Sequence, residues 1–189
     1  MFEGKLLGQD FFSKDVVEVA KKLLGKIIVR KIGKKIYAGR IIETEAYGAS
    51  DDAASHAKGK KTERNAPMFG PVGKSYVYLS YGNHCCLNII GRSKSKKAGG
   101  VLIRALDPIE GIDYMIKNRK IEDLEKLANG PGKVTQAFEI DLALNNIDLT
   151  KEGPLYIVED TEVPDSAIEA TERVGIRLAK DKLWRFIFK

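Results

Sequence analysis

Hydrophobic residues recur at helical spacing near the start of the chain. Val16, Val19 and Leu23 lie three or four positions apart, which is the period of an amphipathic helix. Ser13 precedes them, and a serine in this place can cap a helix by accepting a backbone hydrogen bond. The pattern therefore predicts a helix that begins at this cap and continues to Lys22.

After this helix the period changes to that of β-strands. The next segments are rich in β-branched and aromatic residues, a composition typical of strands. They predict two β-hairpins, in which residues 27–30 pair with 36–47 and residues 75–80 pair with 84–90. The second hairpin turns near Gly82, so its tip should be exposed. Residues 49–69, between the hairpins, are polar and aperiodic, which favours a long functional loop.

The second half of the chain alternates between helical and strand patterns. Strands are predicted at 101–106, 155–158, 174–176 and 183–188, and helices at 109–120, 121–127 and 133–138. No internal repeat or linker divides the sequence. We therefore predict a single compact α+β domain over residues 1–189, with a largely antiparallel curved sheet, flanking helices and a protruding hairpin.

Composition and charge narrow the class of protein. Hydrophobic residues make up 43% of the chain and charged residues 31%, as in globular proteins. No apolar run approaches the roughly 18 residues of a membrane span, and no apolar signal segment is visible. We expect a protein without membrane attachment that stays inside the cell, in the cytoplasm or nucleoid. A net charge of +6 favours a polyanionic partner.

Metal chemistry is not indicated by the sequence. Cys85 and Cys86 are adjacent, and the two histidines, His56 and His84, are far apart. A zinc site needs about three or four ligands at defined spacing. We therefore expect chemistry that uses no metal and no other cofactor.

Two carboxylates fall close together on one predicted strand. Glu43, Glu45 and Tyr47 share one face because side chains alternate along a strand. Like charges so placed repel, so a partly buried pair is costly unless one carboxylate is paired or serves as a general base. A solvated strand face without a chemical role stays open as the alternative.

Tyrosines and basic residues lie near this acidic strand in the sequence. Tyr76 and Tyr78 share a face of the second hairpin, and Tyr81 lies near its tip, where an aromatic ring can wedge between bases. Basic residues cluster at 58–64 and 92–97. A phosphate-binding surface, an aromatic wedge and an acidic pocket are the parts that an enzyme needs to extrude a base and act on its glycosidic bond.

A series of short motifs runs in order along nearly the whole chain. They are ETEAY (43–47), ASHA (54–57), TERN (62–65), MFG (68–70), YVYLSYG (76–82), LNI (87–89), IRALDP (103–108), NGPGK (129–133) and RVGI (173–176). In this order and spacing they resemble the 3-methyladenine (alkyladenine) DNA glycosylase family. The resemblance implies a monofunctional, metal-independent enzyme that acts on double-stranded DNA and initiates base excision repair. We expect it to act as a monomer.

The resemblance also implies a role for several residues by position. Glu45 looks like the general base that activates water, and Arg104 looks like the group that helps to hold that water. The pocket for the flipped purine would be formed by Tyr47, His56 and Tyr78, with Asn88 crowding the exocyclic amine of normal guanine. Tyr81 looks like the residue that fills the gap left in the duplex. Asn83, beside it, departs from the apolar residue expected there, which puts the efficiency of base flipping in question.

Two other functions are weighed against this one. A non-catalytic module could stack bases on Tyr47, Tyr78 and Tyr81, but it would gain nothing from acids beside its aromatic rings. A carbohydrate glycosidase using Glu43 and Glu45 fits poorly, because its carboxylates should flank the substrate from opposite sides. The sequence leaves open which damaged purines are removed and whether Glu43 has a structural role.

Overall fold

Eight strands form one curved antiparallel sheet in the computed structural model of the chain, which describes residues 4–80, 82 and 84–189. The strands are β1 (Ile27–Ile32), β2 (Lys35–Tyr47), β3 (Ser75–Ser80), β4 (His84–Ile90), β5 (Gly100–Glu110), β6 (Leu155–Val158), β7 (Ile168–Thr171) and β8 (Arg185–Phe188). The predicted α+β class with a largely antiparallel sheet is confirmed, and so are both hairpins.

The longest strand, β2, lies at the centre of the sheet. The strand order is β3-β4-β5-β2-β1-β6, and β8 pairs with β2 beyond the end of β1 while β7 pairs with β8. The register of β2 against β5 shifts on both sides of Glu43. Such bulges increase the local twist of a sheet. The segment of β2 that carries both glutamates is therefore enclosed by β5 on one edge and β8 on the other.

Helices cover the sheet and bury its apolar face. They are α1 (Gln9–Phe12), α2 (Val16–Leu23), α3 (Ile112–Arg119) and α4 (Pro131–Ala137). Val19 and Leu23 of α2 are fully buried. Burial of each such side chain stabilises the folded protein by about 1.5–3 kcal/mol relative to leaving it exposed. The hydroxyl of Thr44 on β2 donates to the carbonyl of Ala20, at 2.9 Å. None of the helices in the described part of the chain is long and apolar enough to cross a membrane.

The cap predicted for the first long helix is wrong. The N-cap of α2 is Asp15, whose carboxylate accepts from the backbone N–H of Val17 at 2.9 Å. Ser13 follows the short helix α1, and its hydroxyl donates to the carbonyl of Gln9. The Ser13 hydroxyl is thus hydrogen-bonded at the end of α1 and does not cap α2. Asp15 is the residue that caps α2.

The helix predicted at 109–120 begins later than expected. Strand β5 continues to Glu110, and Gly111 then turns the chain with φ of 79°. A Cβ at Gly111 would lie 2.4 Å from the carbonyl oxygen of Ile36. Only glycine fits this junction, so α3 can begin only after it, at Ile112.

The helix predicted at 121–127 is also wrong. The segment holds only a 3₁₀ turn at Leu124–Lys126. Lys120 has a left-handed φ of 53° and ends α3. Leu124 is 51% exposed whereas Leu127 is buried, so the apolar residues of the segment do not share one buried face.

The strand predicted at 174–176 is a turn. Strand β7 ends at Thr171, and Gly175 has a left-handed φ of 75°, which strands avoid. The backbone N–H of Val174 donates to the carboxylate of Glu45 rather than to a neighbouring strand. The prediction fails because the partner of this backbone donor is a side chain and not a strand.

Candidate active site

A cavity of about 540 Å³ opens between the centre of the sheet, the loop after β2 and the C-terminal segment. This size lies within the range of roughly 300–1,000 Å³ that small-molecule sites occupy. The cavity is lined by Glu45, Tyr47, Ala54, His56, Arg64, Met68, Tyr76, Tyr78, Ser80, Cys86, Asn88, Leu102, Arg104, Val174, Gly175 and Ile176. Six of the site residues named from the sequence therefore meet in one place. The seventh, Tyr81, lies outside the described residues, as does Asn83.

Glu45 lies fully buried beside the cavity, with 0% exposure. Its Oε1 accepts from the backbone N–H of Val174 at 2.7 Å and lies 3.3 Å from Nη1 of Arg104. Its Oε2 accepts from the hydroxyl of Tyr47 at 2.8 Å. A buried carboxylate is tolerated only when it is paired and hydrogen-bonded, and these two hydrogen bonds and the ion pair with Arg104 meet that condition.

The repulsion expected between the two glutamates is relieved by Arg104. Its Nε donates to Oε1 of Glu43 at 2.8 Å while its Nη1 faces Glu45. Burial alone would lower the pKa of Arg104, but the charges of the two glutamates raise it above its ordinary value. The guanidinium therefore carries a permanent positive charge. Arg185 on β8 also donates to Oε1 of Glu43, at 2.6 Å.

A second buried ion pair supports the wall of the cavity, and sequence reasoning missed it. Arg173 binds Asp52 through two hydrogen bonds of 2.7 and 2.8 Å, and neither side chain has any exposed surface. The Arg173 guanidinium lies 4.7 Å from the centre of the Tyr47 ring and donates to the carbonyl of Ala46. Burial would raise the pKa of Asp52, but hydrogen bonds from Arg173 and from backbone N–H groups, one of them that of Gly48, lower it below its ordinary value.

The hydroxyl of Tyr47 remains protonated. Burial, the charge of Glu45 and their hydrogen bond raise the pKa of Tyr47 far above its usual range. It therefore acts as a fixed donor to Glu45 while its ring forms part of the cavity wall.

The opposite part of the cavity is aromatic. The rings of His56 and Tyr78 meet edge to face, with centroids 4.7 Å apart, and Nδ1 of His56 lies 3.2 Å from the hydroxyl of Tyr76. Burial and the nearby charge of Arg64 lower the pKa of His56, so its ring is neutral at neutral pH. Neutral imidazole can both donate and accept a hydrogen bond.

Asn88 occupies the floor of the cavity on β4. It is buried, and its amide nitrogen donates to the carbonyl of Tyr76 at 3.3 Å. The pairing of β3 with β4 places Asn88 opposite Tyr76 and Cys86 opposite Tyr78. The hairpin predicted from the sequence thus aligns these side chains against one another.

The two basic segments differ from each other in the structure. Lys58, Lys60 and Lys61 are exposed, whereas the guanidinium of Arg64 lies 5.6 Å from the centre of the Tyr78 ring. In the second segment Lys94 and Lys97 are exposed, Lys96 pairs with Asp51 at 2.7 Å, and Arg92 is half-buried. The phosphate-binding surface predicted at 92–97 stays a prediction, and Lys94 and Lys97 are its exposed lysines outside the Lys96–Asp51 ion pair.

The chain is similar to known proteins over nearly its whole length. The family model described as methylpurine-DNA glycosylase (MPG) matches residues 10–189. A protein from Prosthecochloris aestuarii with the assigned name 3-methyladenine DNA glycosylase is 49% identical over 178 residues, which cover 94% of this chain and 85% of that protein. A protein of the same assigned name from Carboxydothermus hydrogenoformans is 44% identical over 184 residues, which cover 97% and 95% of the two chains.

Proposed function

Because the chain belongs to the methylpurine-DNA glycosylase family, we propose that it flips an alkylated purine from duplex DNA into the cavity and hydrolyses its glycosidic bond with water activated by Glu45. Membership of the family makes the protein a DNA glycosylase for alkylated purines, and hence a hydrolase of DNA repair. The alternative of a non-catalytic module that only stacks bases is set aside. Action as a monomer stays a prediction.

The environment of Glu45 is the observation on which the proposed mechanism rests. A carboxylate offers about four acceptor positions. Val174 and Tyr47 donate hydrogen bonds to two of them, and Arg104 forms an ion pair with Oε1 at 3.3 Å. Glu45 has no water-accessible surface in the free protein, so the attacking water is proposed to reach its carboxylate from the cavity side when the flipped nucleotide enters. The hydrogen bonds from Val174 and Tyr47 hold both carboxylate oxygens in place. Glu45 is therefore proposed to receive the proton of the water, and Arg104 to orient that water from the neighbouring strand.

The aromatic walls support the binding of a flat, extruded base. Tyr47 and Tyr78 offer ring faces, and neutral His56 offers a hydrogen-bonding edge. Stacking on aromatic side chains and contacts to the edge of the base are the means by which flipping enzymes read a nucleotide. Asn88, held by Tyr76, is proposed to exclude the exocyclic amine of normal guanine.

The chemistry favours purines that carry a positive charge. In the proposed step the water oxygen bonds to C1′ of the sugar while the bond from C1′ to the purine nitrogen breaks. The bonding electrons leave with the purine, and Glu45 receives the proton of the water. A purine alkylated at N3 or N7 is cationic, so it departs as a neutral base and needs no acid to protonate it.

Arginines already contact two of the aromatic walls, which bears on how a cationic base is selected. Arg173 lies over Tyr47 and is locked by Asp52, while Arg64 lies over Tyr78 and is exposed. A cation over a ring gains about 0.5–2 kcal/mol, and a second cation nearby reduces that gain. We therefore propose that the leaving ability of cationic purines contributes more to selection than their attraction to the rings.

The direct test uses duplexes that each carry one lesion. Oligonucleotides with 7-methylguanine, a stable analogue of 3-methyladenine, hypoxanthine or ethenoadenine are incubated with the protein and then assayed for abasic sites. We expect release of the alkylated purines and slower or no release of hypoxanthine. Failure to release any of the four bases would overturn the proposed function.

DNA binding should depend strongly on salt through exposed lysines. Replacing Lys94 and Lys97 with glutamine should reduce the log–log salt slope of duplex binding by about 0.9 for each phosphate that is no longer neutralised. The reduction should be equal for damaged and undamaged duplexes, because phosphates carry no base information. Fluorescence anisotropy at several salt concentrations measures it. Lys34, which is exposed in the turn between β1 and β2, is the matched control. An equal change in Lys34→Gln would contradict the proposal.

Tyr81 is proposed to fill the gap that the flipped base leaves in the duplex. Tyr81→Ala should therefore slow excision from a well-paired duplex more than from a mismatch or a single strand, where extrusion costs less. Single-turnover rates on the three substrates provide the measurement. Tyr114, a half-exposed tyrosine of α3, supplies the control variant. Equal losses on all three substrates would contradict a role of Tyr81 in filling the gap in the duplex.

A further inference from the structure

Glu43, for which the sequence offers no definite role, lies between two arginines. Its Oε1 accepts from Nε of Arg104 at 2.8 Å and from Nε of Arg185 at 2.6 Å. Arg104 in turn faces Oε1 of Glu45 at 3.3 Å. Arg185, Glu43, Arg104 and Glu45 thus form a row of alternating charges, which we call the charged cluster.

The pairing of the C-terminal strand explains how Arg185 reaches this row. In the register of β8 against β2, Arg185 lies directly opposite Glu45. Residues opposite each other in an antiparallel pair project to the same face of the sheet. Glu43 is two positions along β2 and shares that face. Within the described part of the chain, the cavity lining includes Glu45 and Arg104 but neither Glu43 nor Arg185.

The charged cluster is electrically balanced only when Arg185 is present. Two carboxylates and two guanidinium groups give a net charge of zero, whereas without Arg185 a single cation, Arg104, faces both glutamates. Arg104 lies closer to Glu43, with 2.8 Å from Nε to Oε1, than to Glu45, with 3.3 Å from Nη1 to Oε1. Without Arg185, Glu43 would therefore weaken the ion pair between Arg104 and Glu45. An unbalanced negative charge disfavours the ionised form of a neighbouring carboxylate.

We propose that Arg185 is a positioning residue that neutralises Glu43 and thereby keeps Arg104 directed at Glu45. The inference rests on the proposed role of Glu45 as the general base. The guanidinium group of Arg104 is planar. Its Nε donates to Glu43, so its Nη atoms face Glu45 and the cavity. The C-terminal strand β8 therefore contributes to the reaction without touching the substrate.

Other groups also face Glu45 and must stay constant in any test. They are the Tyr47 hydroxyl, the Arg173 guanidinium and, across the cavity, His56 and Arg64. Substitutions at Glu43 and Arg185 leave all of these in place. A change in the pH dependence of the reaction would therefore report on the balance of the charged cluster.

The test is a set of single-turnover pH–rate profiles on duplex DNA with one 7-methylguanine. In Arg185→Gln the acidic limb should move to higher pH by on the order of one unit, and the plateau should fall by about 10-fold because Arg104 is misplaced. In Glu43→Gln the limb should move to lower pH. The double variant Glu43→Gln/Arg185→Gln restores neutrality, so its limb should return to the wild-type position. Arg185→Lys should keep the wild-type limb because it keeps the charge.

Two controls distinguish an effect of charge balance from a general loss of folding. Exposed Arg177, on the same C-terminal segment, should give a wild-type profile as Arg177→Gln, and thermal unfolding reports any loss of fold. If Arg185→Gln has a wild-type limb, or if the double variant keeps the shift of Arg185→Gln, the inference is wrong. Those outcomes leave the proposed function intact, whereas excision by Glu45→Gln at the wild-type rate would overturn the proposed function itself.

Discussion

Replacing Glu45 with glutamine should slow excision of an alkylated purine by roughly 10²–10⁴-fold, the usual cost of removing a general base. Glutamine has nearly the same shape, and its amide oxygen can still accept from Val174 and Arg104, which now contact Oε1. It cannot take a proton from water. Single-turnover excision of 7-methylguanine measures the loss.

Binding and a second glutamate provide the controls for this result. Glu45→Gln should bind damaged duplex nearly as well as the wild type, because the aromatic walls and exposed lysines are unchanged. Glu43→Gln should lose much less activity, since the side-chain hydrogen bonds of the Glu43 carboxylate within the described residues are with Arg104 and Arg185. An equal or larger loss in Glu43→Gln would show that Glu45 is not the general base.

The parts of the fold that were predictable are those with a simple repeating pattern. Strand-forming residues are continuous along β2 and along the β3–β4 hairpin, so these strands follow from the sequence. The shared face of Glu43 and Glu45 follows as well, because the two residues are two positions apart on β2. The helix predicted at 121–127 fails because a few apolar residues resemble a helical period without a buried face to support it.

The site was predictable only where its residues lie in recognisable motifs. Glu45, Tyr47, His56, Tyr78, Asn88 and Arg104 are such residues, and the structure brings them to one cavity. Asp52 and Arg185 carried no signal of their own, because their partners lie 121 and 142 positions away along the chain. Such a pairing depends on how β8 and the segment before it pack against β2 in the folded chain. The local spacing of hydrophobic residues does not predict that packing.

Val174 illustrates the same limit at the level of the backbone. It lies in the motif at 173–176, but the β-branched residues of that motif predict a strand. The functional group is the peptide N–H, 2.7 Å from Glu45, and a backbone donor has no residue type by which it could be identified. Its position is fixed by its neighbour Arg173, which binds Asp52 and the carbonyl of Ala46.

The buried pair of Asp52 and Arg173 should therefore be needed for stability as well as for the site. Asp52→Asn leaves the Arg173 charge buried without a counter-ion, and breaking such a pair costs about 3–5 kcal/mol. Urea unfolding followed by circular dichroism measures the change. Asp51→Asn is the matched control, because the Asp51 carboxylate pairs with Lys96 at the surface, where ion pairs contribute little.

The pH dependence of unfolding gives an independent check on this pair. The pKa of Asp52 is lowered in the folded protein, so its contribution is complete above the ordinary aspartate pKa of about 3.9 and is lost as the pH falls through the lower folded value. Asp52→Asn has no such group, so the stability gap between wild type and variant should narrow below about pH 4. Replacing both partners, as Asp52→Asn with Arg173→Met, should recover part of the loss because no charge stays buried alone. A gap that is constant with pH, with no recovery in the double variant, would mean that the pair contributes through packing rather than charge.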